Sequence, residues 1–296
     1  MADTEIVPGE ASTPEPRRNK LNDLSGKDWI KFTKSWFIHR PRPREDSKIR
    51  HPASFPESLV QDFVRFFTKS GELVVDPFLG TGSTLVAAVE AGRSGVGFEI
   101  VYKYAAVSRK RVANALKQPR PEATPNGRVW AEVIRENSMK LSGIWRKKKF
   151  PSADYCITSP PYWDQLKRNT IRQKDRVENG LDTRYSSNPE EIGNVAGYQD
   201  FLSRTKLVFD EIYKVMKHRG YLTVITNNVF ADGRMYPLAF DMVSTLSQEP
   251  FAWTPKDERV WLQDDKALLP LGVYNAWVGN RHHQYCLIFR KELEQS

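Results

Sequence analysis

Two short segments contain residues whose types and order can support a group transfer. In the first, an apolar run ends in an acidic residue and a glycine turn, with the sequence Asp76-Pro77-Phe78-Leu79-Gly80-Thr81-Gly82-Ser83. In the second, a hydroxyl, two prolines and an aromatic ring follow another apolar run, as Ser159-Pro160-Pro161-Tyr162. A glycine turn after a buried strand lets a nucleotide-like ligand approach the backbone closely. The first segment therefore predicts a cofactor site, and the second places rigid backbone and an aromatic ring at another strand end.

The residues around the glycine turn narrow the choice of cofactor. Leu85 occupies the position of the third glycine of a dinucleotide fingerprint, and the Gly-Lys-Ser/Thr ending of a P-loop is absent from the turn. Asp76 suits a cationic ligand better than a pyrophosphate, and Glu99, after the next apolar run, can accept hydrogen bonds from a ribose diol. S-adenosylmethionine offers both groups. Taken alone, the two glycines are also compatible with a tight turn that binds no ligand.

Together, the glycine turn and the segment 158–162 resemble the amino-methyltransferases that modify cytosine N4 or adenine N6 in DNA. The resemblance runs from about residue 29 to residue 291, and it includes His51-Pro52-Ala53, Phe55-Pro56-Glu57 and Cys286-Leu287-Ile288-Phe289-Arg290. It implies a Rossmann-like S-adenosylmethionine-dependent methyltransferase that acts on DNA. It leaves open whether a restriction endonuclease acting on the same site accompanies the enzyme, and what its oligomeric state is.

The resemblance also implies roles for the residues of the turn. The carboxylate at the position of Asp76 lies at the methionine end of the cofactor in this family, and the ring at the position of Phe78 packs against the cofactor. Glu99 would hold the ribose. Asn137 stands near the position where the family often has an acidic residue that contacts the adenine amino group, and it can substitute as an acceptor. The implied cofactor-binding residues are Asp76, Pro77, Phe78, Gly80, Thr81, Gly82, Ser83, Glu99 and Asn137.

The second segment suits chemistry at an amino group. An exocyclic amine on cytosine or adenine is a poor nucleophile because its lone pair is delocalised into the ring. Acceptors directed at its two protons turn the nitrogen out of conjugation as the methyl group approaches. We expect the Ser159 hydroxyl and the Pro160 carbonyl to be these acceptors, Pro160 and Pro161 to fix the geometry, and Tyr162 to stack on the base. In duplex DNA the base must then be flipped out of the helix.

The identity of the base is less constrained by the sequence. In the family, serine as the first residue of this motif is commoner in cytosine N4 enzymes, and aspartate or asparagine is commoner in adenine N6 enzymes. Ser159 therefore favours cytosine N4. Adenine N6 methylation remains an alternative, as do an RNA or protein N-methyltransferase and a non-catalytic DNA-binding protein of the same fold. The intact segment from Ser159 to Tyr162 argues against the non-catalytic alternative.

Two polar stretches are candidates for contact with DNA. The first is a recognition loop inserted around residues 163–197, longer than the connections usual in compact domains. The second is the stretch 263–283, where aromatic, amide and basic residues cluster. The alternative for the first stretch is a solvated insertion. Basic side chains of these stretches can bind phosphates or read guanine edges, and the predicted DNA-binding residues are Lys167, Arg168, Arg172, Lys174 and Arg281.

The composition agrees with a polyanionic partner. The chain has 296 residues, of which 40% are hydrophobic, and it carries a formal net charge of +9 with a pI of about 9.4. A surplus of this size favours nucleic acid, although it also occurs in proteins that bind none. A chain of this length can bury a substantial core.

Cysteine and histidine usage excludes several other classes of protein. Cys156 and Cys286 each lie in an apolar run and follow a tyrosine rather than a proline, so we expect no disulfide, no zinc cluster and no attack by cysteine on a ring carbon. The histidines lack metal-ligand spacing, and we expect no metal site. No apolar run approaches the about 18 residues of a membrane span. These features predict a cytoplasmic protein without membrane contact.

Apolar periodicity predicts an α/β fold. Strands are expected at 73–75, 96–98, 129–134, 155–158 and 221–226, and helices at 57–71, 83–91, 102–117 and 198–217. This alternation predicts a mainly parallel sheet covered by helices on both faces. The runs 258–262 and 284–289 have no helical pattern between them and predict a terminal antiparallel strand pair.

The chain divides into two predicted regions. Residues 1–27 are expected to form a flexible N-terminal tail because prolines, small residues and charges cannot bury enough apolar surface. Residues 28–296 are expected to form the methyltransferase domain. Within residues 28–49, aromatic and basic side chains alternate, which suits either stacking on nucleic acid bases or packing of the aromatic rings onto the domain.

Overall fold

The computed structural model describes residues 19–40, 55–119, 128–163, 188 and 190–292. The strands are β1 (Trp36–Ile38), β2 (Leu73–Asp76), β3 (Ser94–Phe98), β4 (Ala131–Ile134), β5 (Ala153–Thr158), β6 (Met216–Thr226), β7 (Val229–Ala231), β8 (Arg234–Tyr236), β9 (Thr254–Leu262) and β10 (His283–Arg290). The α-helices are α1 (Gly26–Phe32), α2 (Glu57–Phe67), α3 (Ser83–Glu90), α4 (Tyr102–Lys117), α5 (Leu141–Lys148), α6 (Tyr198–Val215) and α7 (Leu238–Leu246).

One sheet of the described part of the chain organises the fold, with the strand order β1-β9-β10-β6-β5-β2-β3-β4. Strand β10 runs antiparallel to both of its neighbours, β6 and β9, whereas the other strands of this sheet pair in parallel. The predicted α/β class, the mainly parallel sheet and the terminal antiparallel pair are confirmed. The chain order reverses at β2, which lies between β3 and β5. A reversal of this kind leaves a crevice at the carboxyl ends of the strands.

The central strands are buried on both faces. On β2, Val74 packs into the cluster that contains the apolar side chains of α2, whereas Val75 packs into the cluster that contains those of α6. Strand β5 shows the same division, since Tyr155 belongs to the α2 cluster and Cys156 to the α6 cluster. Continuous apolar runs are typical of parallel strands covered on both sides. Burial on both faces holds β2 and β5 in place, and the glycine turn and the segment 159–162 follow the carboxyl ends of these two strands.

Two helices end earlier than the periodicity predicted. Helix α2 was expected to reach residue 71 but ends at Phe67, because Thr68 takes an extended backbone with φ −143° and ψ 157°. Helix α6 was expected to reach residue 217 but ends at Val215. Met216 is already extended, and it begins β6 five residues before the predicted start at 221.

The N-terminal boundary of the packed domain also differs from the prediction. Asn22 is buried, and its Nδ2 donates a hydrogen bond of 2.6 Å to the backbone carbonyl of Phe66. Ser25 caps α1 by accepting a hydrogen bond from the backbone N–H of Asp28. Asn22 therefore contacts the domain, although it falls within the predicted tail. Residues 1–18 of that tail lie outside the described part.

The aromatic residues after this point pack onto the domain. The ring of Phe32 stacks on Phe66 with a centroid distance of 4.0 Å, and Trp29 lies 4.9 Å from the same ring. Trp36 remains 43% exposed, and the Lys34 ammonium lies 3.4 Å from its ring centroid. For these rings the structure favours packing over stacking on bases, with Trp36 as the exception.

Several elements were missed by the sequence prediction. They are α1, β1, α5, α7 and the hairpin formed by β7 and β8. The strands β1, β7 and β8 contain three residues each, and α1 contains seven residues of which none is buried. Elements this short carry too little apolar periodicity to be recognised. Their positions depend on tertiary contacts, such as the parallel pairing of β1 with β9.

Candidate functional site

A cleft at the carboxyl ends of the central strands brings the two chemical segments together. It encloses about 810 Å³ of space, part of which is open to solvent. Many of the predicted site residues line it, namely Pro77, Phe78, Gly80, Thr81, Ser83, Glu99, Asn137, Ser159 and Pro161. The predicted residues Asp76, Gly82, Pro160 and Tyr162 are not among its described lining residues.

Asp76 joins three elements from a fully buried position. Its Oδ1 accepts hydrogen bonds from the backbone N–H of Phe78 at 2.9 Å and from the hydroxyl of Thr158 at 2.6 Å. Its Oδ2 accepts one from the hydroxyl of Thr84 at 2.6 Å. Burial raises the pKa of the Asp76 carboxyl to about 6, although these hydrogen bonds lower it. Asp76 therefore ties the end of β2 to α3 and to the end of β5.

The glycine turn takes a conformation that favours glycine. Gly80 and Gly82 have φ values of 55° and 91°, in the left-handed region. A Cβ atom on Gly82 would lie 2.5 Å from the hydroxyl of Ser108 on α4. Arg111 of α4 supports the turn from outside, since its Nη1 donates to the Thr81 carbonyl at 2.6 Å. Among the described residues, the buried Thr81 hydroxyl has no hydrogen-bond partner, so it can serve a ligand.

Glu99 links the end of β3 to this turn. Its Oε2 accepts a hydrogen bond of 2.8 Å from the backbone N–H of Gly80, and its Oε1 accepts one of 2.7 Å from that of Val101. Only 8% of the residue is exposed. Burial, with smaller contributions from the nearby carboxylates of Glu191 and Asp76, raises the pKa of Glu99 to about 8. Each carboxylate oxygen keeps a lone pair for a diol in the cleft.

Acidic residues of the cleft were missed by the sequence analysis. Glu190 and Glu191 line it from the segment before α6. The Asn137 amide donates to Glu190 Oε2 at 3.3 Å, while Asn137 Oδ1 accepts a hydrogen bond of 2.9 Å from the backbone N–H of Met139. Burial raises the pKa of Glu191. Adjacent glutamates after a basic stretch are typical of solvated surface, so no local pattern indicates their position in the cleft.

The second segment forms a chain of hydrogen bonds. Ser159 lines the cleft, and its Oγ lies 3.2 Å from the hydroxyl of Tyr162. The Tyr162 hydroxyl lies 2.9 Å from Oε1 of Gln284 on β10. Tyr162 is 8% exposed, and burial raises its pKa to about 12. Stacking of Tyr162 on a base stays a prediction, whereas its hydroxyl has an observed role in connecting Ser159 to Gln284.

The predicted DNA contacts are only partly described. Lys167, Arg168, Arg172 and Lys174 lie outside the described residues, together with most of the predicted recognition loop. Arg281 is partly buried, and its guanidinium lies 5.9 Å from the ring centroid of Phe230. The stretch 263–282 joins β9 to β10 without a helix, as predicted.

This β9–β10 loop presents exposed aromatic rings. Tyr274 and Trp277 have relative exposures of 106% and 92%. The two ends of the loop are joined by Asn280, whose amide donates to the Leu269 carbonyl at 2.8 Å and accepts from the Leu269 N–H at 2.9 Å. The loop follows the carboxyl end of β9, which is parallel to β6 and β5, and it therefore leaves the same edge of the sheet as Ser159.

In the described ranges, no group of histidine, cysteine, aspartate and glutamate side chains is suited to hold a metal ion. Within the same ranges, no helix is both long and apolar enough to cross a membrane. Cys156 and Cys286 are buried free thiols, and burial raises the pKa of each.

Two curated relatives of the chain are type II methyltransferases. The chain is 41% identical over 69 residues to the type II methyltransferase M.MjaI of Methanocaldococcus jannaschii, a match that covers 23% of each protein. It is 36% identical over 93 residues to the type II methyltransferase M.BglI of Bacillus subtilis, covering 31% of this chain and 26% of the relative. The chain thus spans about a quarter of the length of these relatives.

A solved structure and a family model complete the comparison. TrmN from Thermus thermophilus has 14% sequence identity and a TM-score of 0.49, and its match covers 83% of this chain and 51% of that chain. The family model N6_N4_Mtase, DNA methylase, matches residues 9–110. This stretch contains the glycine turn and Glu99. The match is confined to residues 9–110, and it confirms the resemblance to the DNA amino-methyltransferases.

Proposed function

We propose that the protein transfers the methyl group of S-adenosyl-L-methionine to an exocyclic amino nitrogen of DNA, at cytosine N4. The observation that carries this proposal is the presence of the Gly80 turn, Glu99 and Ser159 around a single cleft. The turn and Glu99 suit a nucleoside cofactor, and Ser159 suits an amino group. Their shared cleft allows the two ligands to meet.

The residues of the cleft fit this cofactor. Glu99 offers two carboxylate oxygens to the ribose hydroxyls, and the unpartnered Thr81 hydroxyl offers a polar contact near the turn. Phe78 contributes apolar surface to the same cleft. When bound, S-adenosylmethionine supplies a methyl group activated by the adjacent positive sulfur. Asp76 does not line the cleft. It supports the site by accepting hydrogen bonds from Phe78, Thr84 and Thr158.

Ser159 and Pro160 orient the target amine. The Ser159 hydroxyl and the Pro160 carbonyl accept the two amino protons, which turns the nitrogen lone pair out of the ring plane. Proline at 160 and 161 restricts the backbone, so the two acceptors keep their relative positions. Tyr162 supplies an aromatic surface beside them. Methylation leaves the nitrogen positively charged and acidic, so its proton passes to water in the cleft, which is partly open to solvent, during or after transfer and without a strong base.

The choice of cytosine rests on Ser159. Adenine N6 is the second candidate, because the same pair of acceptors serves either amino group. RNA or protein nitrogens and a non-catalytic DNA-binding role are further alternatives. The net charge of +9 supports nucleic acid over protein, and the intact segment from Ser159 to Tyr162 supports catalysis over simple binding.

DNA contact involves both polar stretches. Lys167, Arg168, Arg172 and Lys174 would bind phosphates or guanine edges from the recognition loop, and Arg281 would do so from the β9–β10 loop. A base of duplex DNA reaches Ser159 only after flipping, because the residue lies in a cleft beside buried prolines. A restriction endonuclease that acts on the same DNA site would be a further partner, as the resemblance to the DNA amino-methyltransferases implies.

Analysis of methylated nucleosides tests this function. The protein is incubated with S-adenosylmethionine and unmethylated duplex DNA of diverse sequence, and the digested DNA is examined by mass spectrometry. We expect N4-methylcytosine, and we expect Ser159→Ala to reduce its formation roughly 100-fold while cofactor affinity is kept. Formation of N6-methyladenine instead would show that the target base is adenine rather than cytosine. The absence of any methylated base, despite measured cofactor binding, would contradict DNA methylation.

A further inference from the structure

Gln284 completes a chain of three side chains that begins in the cleft. Tyr162 and Gln284 are separated by 122 residues in sequence, yet their side chains lie 2.9 Å apart. Gln284 lies at the start of β10, where it pairs with Trp261 of β9, and the pairing of β10 with β6 begins at the next residue. The chain continues from Tyr162 to Ser159, where the oxygen atoms lie 3.2 Å apart. A side chain outside the predicted motif therefore contacts the motif directly.

The direction of these hydrogen bonds follows from the number of protons. A carbonyl oxygen has no proton to give, so the Tyr162 hydroxyl must donate its single proton to Gln284 Oε1. The Tyr162 oxygen is then free to accept, and the Ser159 hydroxyl donates its own single proton to it. Ser159 Oγ consequently presents only lone pairs towards the cleft. It can accept a hydrogen bond from a ligand but cannot donate one.

We propose that Gln284 is a positioning residue that keeps Ser159 as an acceptor, so that the site selects bases presenting an N–H group at this position. This inference rests on the function proposed above. Cytosine N4 and adenine N6 carry amino protons that can be donated to Ser159. Thymine O4 and guanine O6 present lone pairs at the corresponding positions, and two facing lone pairs repel. The hydrogen-bonded side chains therefore exclude thymine and guanine, because the keto oxygens of these bases cannot donate a hydrogen bond to Ser159.

Two substitutions at Gln284 separate polarity from packing. Gln284→Met keeps a side chain of similar length but removes the acceptor, and the Tyr162 hydroxyl can then donate to Ser159 instead. Gln284→Glu keeps an acceptor and should rescue the function. We expect Gln284→Met to lower kcat about tenfold with little change in KM for DNA, the effect of one misdirected hydrogen bond. We expect Gln284→Glu to retain kcat within about threefold because its carboxylate accepts from Tyr162.

Tyr162→Phe provides a second measure of the same chain. It should lower kcat by a similar factor. Adding Gln284→Met to it should cause no further loss, because both substitutions interrupt the same chain of hydrogen bonds. Kinetics are measured on unmethylated duplex DNA with labelled S-adenosylmethionine. Full activity of Gln284→Met would overturn the proposal, as would equal impairment of Gln284→Glu and Gln284→Met.

A spectroscopic measurement does not depend on methyl transfer. The Raman difference spectrum between wild type and Tyr162→Phe isolates this tyrosine, and its ring doublet reports whether the hydroxyl donates, accepts or does both. We expect donation with acceptance in wild type and Gln284→Glu, and a changed doublet in Gln284→Met. An unchanged doublet would overturn the proposed polarity. A wild type with this doublet that methylates no DNA would instead refute only the proposed function.

Discussion

The hydroxyl of Thr158 donates a hydrogen bond of 2.6 Å to Oδ1 of Asp76. Thr158 immediately precedes Ser159, and Asp76 begins the glycine turn. This bond therefore connects the proposed base site to the proposed cofactor site across two neighbouring strands. Because the bond is fully buried, solvent cannot replace it when it is lost.

Thr158→Val should weaken both the fold and the transfer. The substitution keeps the shape of the side chain but removes a donor to a buried carboxylate, so we expect unfolding to become easier by about 1–3 kcal/mol. We also expect a lower kcat because Ser159 loses a constraint on its position. Chemical denaturation and steady-state kinetics measure these effects.

Thr226→Val is the matched control for this prediction. Thr226 is equally buried on the neighbouring β6, but its hydroxyl has no hydrogen-bond partner among the described residues. Its replacement should leave the free energy of unfolding nearly unchanged. Equal changes in the free energy of unfolding for the two substitutions would show that the hydrogen bond from Thr158 to Asp76 does not contribute to stability.

Gly82→Ala should damage the turn before α3. A Cβ atom would require an unfavourable backbone at φ 91° and would lie 2.5 Å from the Ser108 hydroxyl. We expect a loss of about 1–3 kcal/mol in the free energy of unfolding and weaker cofactor binding. Adding Ser108→Ala should recover part of the loss, because it removes the closest atom but leaves the backbone strain. Thermal unfolding and calorimetric titration with S-adenosylmethionine provide the measurements.

Gly143→Ala gives the contrasting result expected of an unconstrained glycine. Gly143 lies within α5, and an added Cβ would meet no atom within 4 Å. Alanine has the higher helix propensity, so this substitution should stabilise the protein by about 0.5–1 kcal/mol. A stabilising effect of Gly82→Ala as well would contradict the assigned role of the turn.

The glycine turn was accessible from sequence because its signals are local. A buried run, an acidic residue and two glycines follow one another in the chain, and Ser159 likewise follows a buried run. The partners that complete the site are not local. Gln284 reaches Tyr162 because β10 is inserted between β6 and β9, and an apolar pattern predicts a strand without its place in the sheet order. For the same reason, the apolar pattern of the sequence could not predict that Glu190 lies beside Asn137.

The titration of Glu99 should make the unliganded protein less stable at higher pH. Its folded pKa of about 8 lies above the ordinary value of 4.5, so the folded state holds this proton more tightly than the unfolded chain does. The stabilisation is fully present below pH 4.5 and is lost as the pH rises through about 8. Asp76, raised from 3.8 to about 6, contributes in the same direction at lower pH. Denaturation at a series of pH values measures this slope.

Glu99→Gln identifies the contribution of Glu99 to the pH dependence of stability. Between pH 6 and 8, the free energy of unfolding of this variant should change less with pH than that of wild type. The same substitution should weaken cofactor binding, because an amide has one acceptor oxygen where the carboxylate has two. Glu132→Gln, at a partly exposed ion pair with Lys148, serves as the control and should change neither result. Equal pH slopes in Glu99→Gln and wild type would contradict the assignment.

Trp277 should report DNA binding directly. Its ring is 92% exposed on the β9–β10 loop, at the same edge of the sheet as Ser159. Stacking on a base is worth about 1–3 kcal/mol, so Trp277→Ala should weaken DNA binding roughly 5- to 150-fold, and Trp277→Phe should weaken it less. Anisotropy of labelled DNA at fixed salt measures affinity, and quenching of tryptophan fluorescence reports stacking.

Trp36→Ala supplies the comparison for an exposed tryptophan that already has a partner. Trp36 is 43% exposed, and its ring lies under the Lys34 ammonium at 3.4 Å on the outermost strand β1. Its replacement should change DNA affinity less than Trp277→Ala does. If Trp277→Ala binds DNA as tightly as wild type, the β9–β10 loop does not stack on bases, and the predicted recognition loop around residues 163–197 must account for the contact with DNA.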